Sequence, residues 1–139
     1  MPYASMIANV DHGDAVVKKC QEYAPSNYQS AEILSELLKL SGLPKRSFDR
    51  RFRKATGYSP LEYIQWLRVE EAKQMLELED MPIDEIAFEV GYSDLTSFRR
   101  LFRRLAGLTP GEYRRRFKLP ANVEAAIRIP SPADVSKLG

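Results

Sequence analysis

The sequence is short of the residues from which most catalytic and metal sites are built. Its 139 residues include one cysteine, Cys20, one histidine, His12, and one tryptophan, Trp66. A single cysteine excludes an intrachain disulfide and fits a reducing compartment. One histidine and one cysteine, both near the start, cannot assemble a metal site or a Cys/His pair, so neither a metal nor a cofactor is expected. No run approaches the ~18 consecutive apolar residues of a membrane-spanning helix, so no membrane partner is expected. Met1 to Val10 lacks the basic start and the small-residue cleavage site of a signal peptide. These absences together imply a cytoplasmic location. Gly57-Tyr58-Ser59-Pro60-Leu61 begins like a nucleophile elbow but lacks its closing glycine and the strand before it, so no enzyme is expected. The net charge of +2 gives no hint of a polyanionic partner.

What is present is a stretch that occurs twice, 50 residues apart. Residues 47–63 and 97–113 share the frame Ser-Phe-x-Arg-x-Phe-Arg-basic-x-x-Gly-x-(Ser/Thr)-Pro-x-Glu-Tyr. A repeat of this length dictates architecture. Phe48, Phe52 and Ala55 in one copy, and Phe98, Phe102 and Leu105 in the other, fall on one helical face. The opposite face carries Arg46, Arg50 and Arg53 in the first copy and Thr96, Arg100 and Arg103 in the second. Gly57 and Gly107 stand where a left-handed helix stop is wanted. Ser59-Pro60-Leu61-Glu62 and Thr109-Pro110-Gly111-Glu112 then supply a hydroxyl N-cap, Pro at the first helical position and Glu for a capping box. An Arg-rich face on one helix is equally what solvated surface looks like; two such faces in register argue against that reading.

The charge is segregated along the chain. Residues 44–55 carry six Lys/Arg and one Asp, residues 94–105 four Arg and one Asp, and residues 114–118 three Arg and one Lys. Residues 62–90 carry nine acids against Arg68 and Lys73. Such segregation is the footprint of one side facing a polyanion and another facing solvent.

In chain order, residues 1–10 read as a loose arm and Asp11 to Ala24 as a helix capped by Asp11 or Asp14, followed by a Pro25-Ser26-Asn27 loop. Ser30 is placed to cap a helix over about 31–40. Ser41-Gly42-Leu43 forms a turn, and the first Arg-faced helix runs over about 45–55. A long helix from Pro60 to about Leu78 joins two halves. A short helix from Pro82 ends at Gly91, and Ser93 or Asp94 caps the second Arg-faced helix, about 94–105. Gly91 stands seven residues before Phe98, whereas Gly42 stands six before Phe48, so this helix is expected to start slightly earlier in its own frame. A last helix covers about 110–118, and a weakly ordered tail follows. The fold class is therefore all-α, with two helix-turn-helix subdomains joined by a long central helix and about seven helices. The divisions are 1–29, arm and helix; 30–58, first subdomain; 59–79, linker helix; 80–118, second subdomain; and 119–139, tail.

A helix in the major groove reads bases with outward side chains near its start and meets phosphates at its ends. Base-edge candidates are Arg46, Asp49 and Arg50 in the first unit and Leu95, Thr96, Arg99 and Arg100 in the second. Arginine pairs bidentately with guanine, Asp accepts from cytosine, and Leu95 or the Thr96 methyl suits a thymine methyl. Lys45, Arg53, Lys54, Arg103 and Arg104 suit phosphates. The competing readings are that Arg50 and Arg100 pair with acids on the scaffold and that Asp49 is a plain surface acid. Tyr63, Tyr113 and Trp66 read as packing residues. RNA binding lacks exposed aromatics among the basic residues. The alternative function is a helical protein–protein interaction module without base readout.

These residues resemble the AraC/XylS family of bacterial transcription regulators. Over about residues 31–117 the resemblance rests on Ile86-Ala87, Gly91-Tyr92-Ser93-Asp94, Ser97-Phe98, Arg100, Phe102, Gly107, Thr109-Pro110 and Tyr113-Arg114 in the second half. In the first it rests on Arg46, Phe48, Arg50, Phe52, Gly57, Ser59-Pro60, Tyr63, Arg68 and Ala72. It implies a regulator, such as an activator, that inserts two helices into successive major grooves on one face of double-stranded DNA. The sequence departs from the family pattern at Leu38, where a small residue is usual, and at Pro44, where a capping Ser is usual. RNA polymerase is a further partner, for which the acidic face of the long helix, including Glu70, Glu71, Glu77 and Asp80, is the candidate surface. The arm and first helix also resemble the region before this module in regulators with a class I amidotransferase-like sensor. That implies an amino-terminal sensor domain absent from this chain; stand-alone members also exist.

Overall fold

Seven α-helices and no strand make up residues 12–120, the residues that the computed structural model describes. They are α1 (Ala15–Asn27), α2 (Ile33–Ser41), α3 (Lys45–Thr56), α4 (Pro60–Leu78), α5 (Ile83–Glu89), α6 (Leu95–Ala106) and α7 (Pro110–Phe117). The expectations for residues 1–10, for Asp11 and for the tail from 121 lie outside the described residues.

Each helix starts and stops where local chemistry allows. The Asp14 side chain accepts from Val16 and Val17 N–H to cap α1, and Asp94 accepts from Thr96 N–H to cap α6. Both capping boxes form, Ser59 with Glu62 and Thr109 with Glu112, each with Pro at the start of its helix. Gly57 and Gly107 end α3 and α6 with φ of 82° and 81°, and each donates its N–H to the carbonyl of the last-turn arginine, Arg53 or Arg103. Pro44 caps α3 without a side-chain hydrogen bond, so the departure from Ser costs α3 that contact.

Three local expectations are corrected. Pro25, Ser26 and Asn27 belong to α1 and do not form a loop. Proline in the last turn forfeits only one backbone bond, and Asn27 Nδ2 donates to the Tyr23 carbonyl at 2.8 Å, satisfying an end carbonyl. Ser30 does not cap α2. Its hydroxyl instead organises the turn before it, accepting from Glu32 N–H at 3.1 Å and donating to Glu36 Oε2 at 2.6 Å. Finally, α6 does not start early in its frame: Lys45 and Leu95 open their helices at the same 50-residue offset as Phe48 and Phe98. The buried phenylalanines pin the register, and the extra residue is taken up in the turn before Leu95.

Packing repeats with the sequence. Phe48 meets Phe52 with ring centres 5.7 Å apart, and Phe52 meets Tyr63 edge-on at 5.4 Å. Their counterparts 50 residues on, Phe98, Phe102 and Tyr113, meet at 5.8 and 5.6 Å. All four phenylalanines are buried, and burying a side chain of that size contributes about 1.5–3 kcal/mol. The first unit is a three-helix cluster, in which α1 packs on α2 and α3. Val17, Cys20 and Ala24 of α1 share its core with Ile33 and Leu37 of α2. Helix α4, about 28 Å long, touches α3 on one side and α5, α6 and α7 on the other. Its buried residues, among them Tyr63, Ile64, Leu67, Val69, Ala72 and Leu76, spread over a wide arc, as a strut between two cores requires.

Candidate nucleic-acid interface

The phenylalanine register decides which side chains of α3 and α6 face outward. With Phe48 and Phe52 buried, Lys45, Arg46, Arg50, Arg53 and Lys54 are exposed, and Asp49 is half-buried. With Phe98, Leu101 and Phe102 buried, Thr96, Arg99, Arg100, Arg103 and Arg104 are exposed. Leu95 is half-buried against the core, so part of its surface is withdrawn from the outer face. Neither Arg50 nor Arg100 forms a salt bridge among the described residues, although the charge of Arg100 reaches the Asp94 carboxyl at the cap of its own helix. Asp49 is held by Lys45, four residues earlier, at 2.7 Å.

Arg51 is half-buried, unlike the other cations of α3. Its Nε and Nη2 donate to the two Asp14 oxygens at 3.2 and 3.0 Å. This fork-on-carboxylate contact fastens the start of α1 to α3 and holds the Asp14 carboxyl below its usual range. The second copy has Leu101, buried, at the same place.

The two Arg-bearing helices meet at one place on the strut. Arg53, in the last turn of α3, lies 3.4 Å from Glu62 Oε1. Arg104, in the last turn of α6, donates from Nη2 to Gln65 Oε1 at 3.4 Å. Glu62 and Gln65 are three residues apart in the first turns of α4 and so share a face. The Glu62 carboxyl is held below its usual range, chiefly by the N–H and hydroxyl of Ser59, with the charges of Arg53 and Arg104 adding to the effect. The cationic ends of α3 and α6 therefore converge on one side of the molecule. The sequence marks Glu62 as a capping residue and an acid and gives Gln65 no role; their meeting with α6 is created only by folding.

The acidic face expected on α4 is narrower than its sequence suggests. Glu70 is buried beside Lys73 at 2.9 Å, Glu77 accepts from the Tyr113 hydroxyl, and Asp80 pairs with Lys118 at 2.9 Å. Among the described residues no group of three or more His, Cys, Asp or Glu side chains is placed to hold a metal, and no helix is long and apolar enough to cross a membrane.

Comparison with known proteins agrees with this arrangement. A family model described as a helix-turn-helix domain matches residues 37–116, 80 of the 139. The RCS-specific HTH-type transcriptional activator RclR of Escherichia coli is 36% identical over 104 residues, covering 75% of this chain and 35% of its own length. The MmsAB operon regulatory protein of Pseudomonas aeruginosa is 34% identical over 85 residues, 61% of this chain and 28% of its own. The chain thus spans about a third of the length of such relatives. Among solved structures, the DNA-binding domain of AdpA in complex with a target DNA superposes with a TM-score of 0.71 at 27% identity, over 83% of this chain and all of that one. A probable AraC family transcriptional regulator from Rhodopseudomonas palustris does so with 0.67 at 25%, over 76% of this chain and all of that one. With the repeated Arg-faced helices, the shared strut and a family match across more than half its length, the chain belongs to the AraC/XylS family of helix-turn-helix regulators.

Proposed function

We propose that this chain is the sequence-specific, double-stranded-DNA-binding module of a bacterial transcription regulator, acting by binding and not by catalysis. In this reading residues 30–58 and 80–118 form two DNA-binding units, joined by the linker helix 59–79. Helices α3 and α6 enter successive major grooves, with Arg46, Asp49, Arg50, Leu95, Thr96, Arg99 and Arg100 toward base edges and Lys45, Arg53, Lys54, Arg103 and Arg104 toward phosphates. The observation that carries the reading is the convergence of Arg53 and Arg104 on adjacent turns of α4, because a rigid duplex demands that both cationic surfaces be presented together. The AdpA domain of similar fold was solved with a target DNA, which supports the same assignment.

The regulator acts in the cytoplasm, where its DNA lies. RNA polymerase is its second partner, met through the exposed Asp80, just past the end of α4, together with Asp84 and Glu85, since the buried Glu70 withdraws much of the α4 face. A sensor domain is a further element of the whole regulator, consistent with the greater length of the relatives.

The test is selection of binding sites from random duplex DNA, followed by affinity measurement across salt concentrations. Roughly six phosphate contacts give a log–log slope near −5. Recovery of no shared site, with a slope near zero, would turn the assignment over to a protein–protein module.

A further inference from the structure

The repeat places a capping carboxylate within electrostatic reach of the phosphate-facing arginine of each unit, and in direct contact with it in the first. In the first copy Glu62 lies 3.4 Å from Arg53, with both side chains largely exposed. Glu62 stands one turn before Gln65, which already holds Arg104. Fifty residues on, Glu112 occupies the same capping-box position at the start of α7, and Arg103 occupies the position of Arg53. The charges of Arg103 and Arg115 reach the Glu112 carboxyl, adding to the dominant N–H and hydroxyl contacts of Thr109. A cap needs an acceptor at this position, and Gln serves as well as Glu. The negative charge strengthens the cap without being required to form it, and in both copies it lies within electrostatic reach of a cation proposed to meet DNA.

We infer that Glu62 is an intramolecular stand-in for a DNA phosphate, which holds Arg53 in the free protein and lowers affinity for duplex DNA of any sequence, and that the charge of Glu112 acts on Arg103 in the same sense at longer range. The inference rests on the DNA-binding function proposed above. A phosphate approaching Arg53 meets the Glu62 carboxylate a few ångströms away, and like charges at that separation repel even in water. Because the effect acts through the backbone contact, it is independent of base sequence. It suppresses the electrostatic association that supplies nonspecific binding, leaving recognition to depend more heavily on base edges. Each exposed Glu–Arg pair is weak on its own, so the device trims affinity and does not block binding.

The experiment is a duplex-binding titration with Glu62→Gln, Glu112→Gln and the double variant. It uses both random duplex and a site selected by the unmodified chain, with Glu79→Gln as the control. Glu79 lies at the far end of α4, roughly 25 Å along the helix axis from Glu62, and makes the same change in net charge. Glu62→Gln is expected to tighten binding about threefold on both duplexes and to steepen the salt slope by roughly one unit. Glu79→Gln is expected to change neither. Combining Glu62→Gln with Arg53→Ala is expected to abolish the gain, since the arginine that the carboxylate restrains is then gone. Unchanged thermal melting of Glu62→Gln shows that the cap is intact; a lowered melting point with no gain in affinity would make the glutamate a cap alone and overturn the inference. Equal or weaker binding by the variant, or a gain matched by Glu79→Gln, also overturns it while leaving DNA binding standing. A change confined to one base position places Glu62 at a base edge and overturns it as well. If the unmodified chain shows no salt-dependent binding, the function and the inference fall together.

Discussion

The guanidinium of Arg68 lies over the ring of Tyr92, 5.0 Å from its centre. Arg68 sits midway along α4, and Tyr92 in the turn between α5 and α6. The same guanidinium donates from Nε to the Tyr28 carbonyl at 2.8 Å and from Nη2 to the Ser30 carbonyl at 3.0 Å. One side chain thus fastens the segment leading into α2 and the turn leading into α6 to the same point of the strut.

Gly91 completes this junction, and its replacement is expected to be costly. It has φ of 107°, and a Cβ there would stand 3.0 Å from Arg68 Cζ and from the Gln29 carbonyl oxygen. Backbone cannot swing aside as a side-chain end can. Gly91→Ala should lower stability by about 2 kcal/mol or more, measured as a drop in urea midpoint. An unchanged midpoint would show that the junction tolerates a side chain.

Asp14 makes the first unit sensitive to acid. Its carboxyl is held below its usual range chiefly by the Arg51 hydrogen bonds, with the Val17 and Val16 N–H groups adding and burial opposing. A depressed carboxyl pKa contributes stability above its unfolded value near 3.8 and loses it as pH falls through the folded value. Asp14→Asn should therefore destabilise at neutral pH and flatten part of the decline below about pH 4. Asp14→Ala, which also removes the cap, should cost about 1–2 kcal/mol at pH 7. Thermal melts from pH 3 to 7 give the comparison; parallel melting curves for Asp14→Asn and the unmodified chain would refute the linkage.

Arg46→Ala and Arg100→Ala should each cost about 1–3 kcal/mol on a selected site and relax the sequence preference at one position. Competition titrations with single-base variants of that site would resolve the two effects. Equal weakening on every sequence would move these arginines from base edges to phosphates.

Phe52→Ala and Phe102→Ala should each lower stability by about 3–5 kcal/mol, since both rings are wholly buried beneath their Arg-bearing helices. Chemical denaturation should also show two transitions in one or both variants if each aromatic trio holds its own unit. Losses below about 1 kcal/mol would mean that the repeated aromatics are not the cores of the two units.

Much of the architecture follows from the chain's own pattern. The 50-residue repeat, the phenylalanine spacing and the Gly stops specify α3 and α6. The Pro-led capping boxes specify α4 and α7, because periodicity and capping are local and every participant lies within one or two turns. The exposure of the arginines follows too, once each phenylalanine is buried. What only the tertiary structure decided is where charges meet across distance. Arg51 looks like its neighbours in sequence, yet it is tied to Asp14, 37 residues away. Glu70 reads as surface, yet it is buried. Arg104 reaches Gln65 across 39 residues of chain. Local sequence determines which way a helix turns its faces, but a contact between remote side chains depends on how helices pack, and packing is decided by the whole core at once.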